Sequence, residues 1–313
     1  MTQATKSLAI IWVVLLVITG LVKWTDTSSS SEAFRTSLVE VDTAMVDRIE
    51  IESPTQNRMI SLQRENSSWM VGQSAEEVHY PADENAVKRA IEQLNALNIQ
   101  AVATRDPQKY TRFKVDSTGT KVSLYDDEIL LSSLIIGAPR IISRQQYNNY
   151  VRPVEDEAVY AVDRLLSPTF GKDLEGWRNK VVWELEDSQI SRIDFLFPAD
   201  SSYSIQRAGT GNSWVSEGDT LNSSSVSRIT SNLGRLRADG FVKDQAPDQF
   251  GNERYAIQVQ LQNGSRKTLR LKSLDGEPSS YQAVATDFPY TFTLNKSSFD
   301  NSVLRAREDL LEN

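Results

Sequence analysis

The feature that most restricts how this chain can fold is a self-similarity at a spacing of about 140 residues, because a chain that repeats its pattern builds the same supersecondary unit more than once. Val46-Asp47-Arg48-Ile49-Glu50-Ile51 is answered by Ile190-Ser191-Arg192-Ile193-Asp194-Phe195, with the arginine kept and the apolar positions in the same alternation. Alternation with a period of two reads as a half-buried strand. Each copy continues into a second alternating strand, Met59 to Gln63 and Tyr203 to Arg207. Both then enter a polar turn ending in tryptophan, Ser67-Ser68-Trp69-Met70-Val71 and Asn212-Ser213-Trp214-Val215.

After the tryptophan the period changes from two to three-or-four. Val87, Ala90, Ile91, Leu94 and Leu97 in the first copy, and Val226, Ile229, Leu233 and Leu236 in the second, predict one amphipathic helix each. Asp83, and Asn222 or Ser223, stand where N-caps belong. Short apolar exits follow, Ala101-Val102 and Phe241-Val242, and then hairpins. Val122 and Leu124 run to a turn at Asp126-Asp127 and return through Ile129 to Ile136. Ile257, Val259 and Leu261 run to Asn263-Gly264, the preferred two-residue turn, and return through Leu269 and Leu271. Two further strands close each copy, Tyr147 to Arg152 with Val159 to Val162, and Tyr281 to Val284 with Thr291 to Leu294, before a terminal helical segment. The expected fold is α+β: two tandem modules, residues 38–182 and 183–313, each a mostly antiparallel sheet with a helix packed on one face.

Ahead of the repeats, Leu8 to Val22 is an uncharged run of 15 residues between Lys6 and Lys23. A spanning helix needs roughly 20 apolar residues, and Ser7, the stem of Lys23 and the rings of Trp12 and Trp24 can extend this one. The exit Thr19-Gly20-Leu21-Val22-Lys23 lacks a small-x-small cleavage pattern, so a retained anchor over residues 1–24 is expected rather than a cleaved signal peptide. Lys6 and the α-amino group on the leading side place the N-terminus in the cytoplasm and the bulk of the chain outside it. Residues 25–37, with their serine run, read as a flexible linker.

Composition excludes several kinds of chemistry. The chain has no cysteine, so disulfides, thiol nucleophiles and thiolate metal sites are impossible. Its one histidine, His79, cannot assemble a multi-histidine zinc site. A net charge of -8 with scattered Lys and Arg argues against a nucleic-acid partner.

Individual residues suggest sharper chemistry, and in each case a plainer reading competes. His79 before Tyr80-Pro81 reads as a helix-entrance residue rather than a ligand. Asp126-Asp127-Glu128 could offer oxygens to a hard cation, yet acids are favoured in a hairpin turn for local reasons. Gly209-Thr210-Gly211-Asn212 lacks the Lys-Ser or Lys-Thr ending of a phosphate loop and reads as a turn. Glu184, Glu186 and Asp187 could pair for glycoside chemistry, which needs two carboxylates facing one cleft, whereas solvated charge is the default. Trp69, Trp177, Trp183 and Trp214 could stack sugars, while repeat-equivalent tryptophans more often anchor cores. No catalytic, cofactor-binding or metal-binding residue is therefore assigned, and no cofactor is expected.

The chain resembles the bacterial domain-of-unknown-function family 4340 (DUF4340). The resemblance lies in the strand Arg48 to Ile51, the Ser-Trp turns at Trp69 and Trp214, the exit Arg237-Ala238-Asp239-Gly240-Phe241-Val242, and the segments Val159 to Asp163 and Trp177 to Lys180. It covers nearly everything after the linker. Members commonly carry one N-terminal membrane helix and are often encoded beside ABC-2 type export systems with a gliding-motility-type auxiliary protein. The resemblance thus implies an accessory role in a transport complex and brings no functional residues with it. The expected function is a non-catalytic, membrane-anchored scaffold or accessory subunit whose partners are the membrane, through residues 8–22, and ABC-type transporter subunits. The alternatives are an envelope glycan-binding module or carboxylate-dependent glycan hydrolase, and a purely structural spacer.

Overall fold

The computed structural model describes residues 37–54, 57–74, 80–143, 146–198, 201–209, 213–243, 245–274 and 277–312. The expected anchor, nearly all of the linker, and His79 lie outside these residues. Among the described residues no helix is long and apolar enough to cross a membrane.

The first half contains β1 (Arg48–Ser53), β2 (Arg58–Glu65), β3 (Ser68–Gly72), β4 (Tyr80–Pro81), α1 (Glu84–Asn95), β5 (Ile99–Thr104), α2 (Tyr110–Phe113), β6 (Thr120–Asp126), β7 (Ile129–Ser143), β8 (Gln146–Pro153) and β9 (Val159–Val162). Two short helices follow, α3 (Ser167–Phe170) and α4 (Leu174–Trp177). The second half contains β10 (Ile190–Leu196), β11 (Tyr203–Arg207), β12 (Trp214–Ser216), β13 (Asp219–Thr220), α5 (Ser223–Gly234), β14 (Gly240–Phe241), β15 (Tyr255–Leu261), β16 (Arg266–Leu274), β17 (Glu277–Ala285), β18 (Phe292–Asn295) and α6 (Lys296–Ser302). Contacts group the chain into two compact units that divide at Lys172 and Asp173, with residues 68–71 and 78–84 counted in the second.

Each half forms one nine-stranded sheet, and the two strand orders are the same. The first runs β4-β3-β2-β1-β6-β7-β8-β9-β5 and the second β13-β12-β11-β10-β15-β16-β17-β18-β14. The repeat extends to register. Ile49 faces Leu62 and Leu124 across β1, and Ile193 faces Ile205 and Val259 across β10. All of these pairings are antiparallel, which together with the helices makes the protein α+β with mainly antiparallel sheet.

The alternation read from the sequence places side chains as expected. Ile49 and Ile51 are buried while Arg48, Glu50 and Glu52 lie on the opposite, partly open face. There Arg48 pairs with Glu50, and at the equivalent place Arg192 pairs with Asp194 at 2.7 Å. Residues two apart on a strand share a face, so the conserved spacing explains both ion pairs. The helices bury the predicted stripes, Val87, Ala90, Ile91 and Leu94 on α1 and Val226, Ile229 and Leu233 on α5. Asn222 caps α5 by accepting from the Ser225 amide at 3.1 Å.

Two turns differ from expectation. The first hairpin turns at Asp127-Glu128, one residue later than read, because Asp126 pairs with Ile129 after a bulge at Leu124/Tyr125. The second is not a two-residue Asn-Gly turn. The Leu261 amide bonds to Ser265 O, leaving Gln262, Asn263 and Gly264 in the loop. Gly264 has φ +82°, whereas Asn263 is not in the left-handed region that a type I′ turn demands of both central residues. The glycine therefore takes the bulge position of a three-residue loop.

Candidate functional site

Most of the acids and aromatics singled out above are occupied structurally. Trp69, Trp177, Trp183 and Trp214 are all buried, so they form no exposed sugar platform; the Trp183 indole N–H donates to Thr286 O at 3.1 Å. Glu186 and Gln189 close a reciprocal capping box. Asp187 accepts from Arg207 at 2.6 Å and from Thr230. Burial pushes its carboxyl up, but these hydrogen bonds outweigh that and leave it below the usual carboxylate range. Glu184 is exposed. Of the glycine-rich tetrad only Gly209 is described, with φ +58° as in a turn.

At the β6–β7 turn, carboxylate oxygens of Asp47, Asp126 and Asp127 approach within 4.8 Å of one another. The Asp127 amide donates to Asp47 Oδ2 at 2.9 Å, and Arg48 donates to Asp127 O at 3.2 Å and lies 3.8 Å from Glu128. Hydrogen bonding with Asp47, then the charges of Asp47 and Asp126, push Asp127 above the usual carboxylate range. No metal is assigned to this cluster.

The same turn carries a feature that the alternation does not explain. Ile129 is 65% exposed and Leu130 45% exposed, directly beside the acids. The second sheet supplies an internal comparison, because its β15–β16 hairpin occupies the same place in the strand order. Its tip, Gln262 to Arg266, is entirely polar or glycine and fully exposed. A hairpin at this position therefore folds without apolar residues at its tip, and the fold does not require Ile129 and Leu130 to be there.

In the second unit a cavity of about 600 Å³ opens beside β17 and α6. Its floor is Tyr281, 1% exposed, whose hydroxyl donates to Asp300 Oδ1 at 2.6 Å and accepts from Lys296 Nζ at 2.7 Å. Lys296 also donates to Asp300 Oδ2 at 2.6 Å, closing a triangle. The helix sets this up locally: Asn295 caps α6 by accepting from Ser298 N at 2.9 Å, and residues four apart then face one another. Phe197 and Tyr255, half-buried and edge-to-face with centroids 5.7 Å apart, make the aromatic wall.

Register shows what this floor replaces. Tyr281 faces Leu294 across β17 and β18, and Asn149 faces Val162 at the matching point of β8 and β9. Asn149 ties β7 to the segment after β9 through backbone partners, donating to Gly137 O at 2.9 Å and accepting from Leu166 N at 3.1 Å. Among the described residues the Tyr281 hydroxyl instead bonds only to the segment after β18, through the Lys296 and Asp300 side chains that line a cavity.

Sequence reasoning missed the Tyr281–Lys296–Asp300 triangle. Only the four-residue spacing behind a capping asparagine hinted at the Lys–Asp pair. Chemically the triangle is a platform of hydrogen-bond donors and acceptors. Burial, then the hydrogen bond to Asp300, pushes Tyr281 up to about 12 against the opposing bond from Lys296. Bonds to Asp300 and then Tyr281 hold the Lys296 ammonium protonated above the ordinary lysine range. A folded-state pKa raised above the unfolded value of about 10 contributes stability that is complete below pH ~10 and lost as pH rises toward the folded value. Spectrophotometric titration of tyrosinate should therefore show one fewer late-titrating tyrosine in Tyr281→Phe, and that variant should lose less stability than the parent between these two values. A parent in which Tyr281 titrates with the exposed tyrosines would contradict the closed triangle.

The architecture defines an α+β protein built from one nine-stranded antiparallel sheet plan used twice. The chain belongs to the DUF4340 family, a domain of unknown function, whose family model matches residues 73–254, more than half of its length. That match runs from just after β3 to just before β15, so it takes in part of each sheet. No curated protein and no solved structure matches the chain.

Proposed function

We propose that this protein is a non-catalytic scaffold or accessory subunit of an ABC-type export complex. In this reading residues 8–22 anchor it in the inner membrane with the N-terminus cytoplasmic. Modules 38–182 and 183–313 stand in the periplasm, and the β6–β7 tip docks on a transporter subunit. The observation that carries the docking step is the difference between the two hairpin tips: Ile129 and Leu130 exposed in one, only polar residues and glycine in the other. Exposed apolar side chains that folding does not need are what an interface uses. A purely structural spacer has no use for them. The protonated state of Lys296 and the high pKa of Tyr281 favour binding over acid–base chemistry at neutral pH. The export system itself rests on the family resemblance.

Full burial of an Ile or Leu side chain is worth roughly 1.5–3 kcal/mol. Replacing both by serine should therefore lower recovery of transporter subunits, in a crosslinked pull-down of full-length protein from native membranes, by about tenfold or more. The exposed positions leave thermal stability nearly unchanged. Undiminished recovery with the double variant would contradict the docking role of the tip.

A further inference from the structure

The cavity of the second unit has the components of a ligand site, and its chemistry narrows the ligand. Its volume of about 600 Å³ falls in the ordinary range for small-molecule pockets. An ammonium has three donors and a carboxylate about four acceptor positions. Lys296 spends two donors and Asp300 two acceptor positions inside the triangle, which leaves one donor and about two acceptor positions side by side. Both side chains are about one-third exposed, so these positions are open to the cavity. The triangle also holds them in place before any ligand arrives, which reduces the ordering cost of binding. A hydroxyl both donates and accepts, and two neighbouring hydroxyls match such a pair.

The wall beside them is aromatic. Tyr255 lies 5.8 Å from Tyr281 and 5.7 Å from Phe197, centroid to centroid, and the cavity is lined by both Tyr255 and Phe197. The lining carries three cations, Lys296, Arg305 and Arg307, against three acids, Glu217, Asp300 and Glu308. Each cation already has a carboxylate neighbour: Asp300 for Lys296, Asp309 for Arg305, and Asp219 with Glu217 for Arg307. A phosphate or carboxylate ligand would meet as much negative as positive charge. A neutral ring with an apolar C–H face and a hydroxylated edge meets a partner on each side.

We propose that this cavity is a saccharide-binding site, in which Lys296 and Asp300 clamp adjacent hydroxyls of a neutral sugar and the Tyr255 and Phe197 rings cover its C–H face. The site is separate from the docking tip, and neither reading depends on the other. Its residues differ from Trp69, Trp177, Trp183 and Trp214, which the sequence reads as core anchors ahead of a sugar platform and which are buried.

Calorimetric titration of the full-length protein in detergent with N,N′-diacetylchitobiose, cellotriose and maltotriose, and with inorganic phosphate, tests the site. At least one oligosaccharide should bind. That affinity should fall at least tenfold in Asp300→Asn and in Tyr255→Ala, and stay unchanged in Ile129→Ser. Lys296→Gln leaves the Tyr281–Asp300 bond in place and serves as the test if either variant fails to fold. Failure of all three oligosaccharides to bind, binding of phosphate in their place, or unchanged saccharide affinity in the folded cavity variants would overturn the proposal. Loss of transporter recovery in the tip variant with saccharide binding intact, or the reverse, separates the two functional readings.

Discussion

Asn149→Ala should lower the unfolding free energy by roughly 2–4 kcal/mol, since it strands one buried and one partly buried backbone group, and such a group costs about 1–3 kcal/mol when unpaired. Asn149 is completely buried, and its amide is the partner of both Gly137 O and Leu166 N. Gly137 has little room to find another partner. A Cβ there would stand 2.2 Å from Phe113 O and 2.6 Å from Val115 Cγ1, so the strand lies tightly against the segment that follows α2. Urea unfolding gives the size of the loss. Hydrogen exchange gives its place, with the amides of β7, β8 and Leu166 exchanging faster than those of β1 and β2. A loss below about 0.5 kcal/mol would show that water or a shifted backbone substitutes for the amide, and would contradict its role as the clasp of the first sheet.

Phe195→Ala should cost more, about 3–5 kcal/mol, as expected for an aromatic side chain removed from a closed core. Phe195 is fully buried on β10, between β11 and β15, and stacks on Tyr203 with centroids 4.7 Å apart and an interplanar angle of 20°. Phe197 approaches the same ring at 5.8 Å. Across the sheet Phe195 faces Ile257, itself buried and branched, which is stiff at χ1 and closes little of the space left by the ring. Thermal unfolding should show a large drop, and Phe195→Leu a smaller one. Equal effects from leucine and alanine would mean that the site tolerates rearrangement, against a close-packed core.

The repeat was legible because it rests on alternation, and alternation survives substitution. Arg48 and Arg192 keep their side of the strand whatever stands between them, and the buried Ile49, Ile51, Ile193 and Phe195 follow from the same period. The helices were legible for the corresponding reason at their own period. Two-residue strands such as β4 and β13 were not, since two residues carry no period. The Asn263-Gly264 turn was placed correctly but misread in type, because the hydrogen bond between Leu261 and Ser265 adds a residue that composition does not reveal.

The site was far less legible. Tyr281, Lys296 and Asp300 come together only because Tyr281 faces Leu294 across the sheet and α6 starts immediately after β18. Asn149 looked like an ordinary strand residue, and its two backbone partners lie 12 and 17 positions away in sequence. The tryptophans drew attention because they recur at equivalent positions. Recurrence reflected their part in packing the repeated unit, whereas the exposed Ile129 and Leu130 stand out because the second copy lacks them.

The most direct test of this account places a photo-crosslinking residue at Ile129 in one full-length protein and at Ser265, in the corresponding hairpin of the second sheet, in another. Both are then irradiated in native membranes. The account predicts covalent adducts with ABC-type transporter subunits from position 129 and none from position 265. Absence of adducts at 129, or equal adducts from both positions, would contradict it.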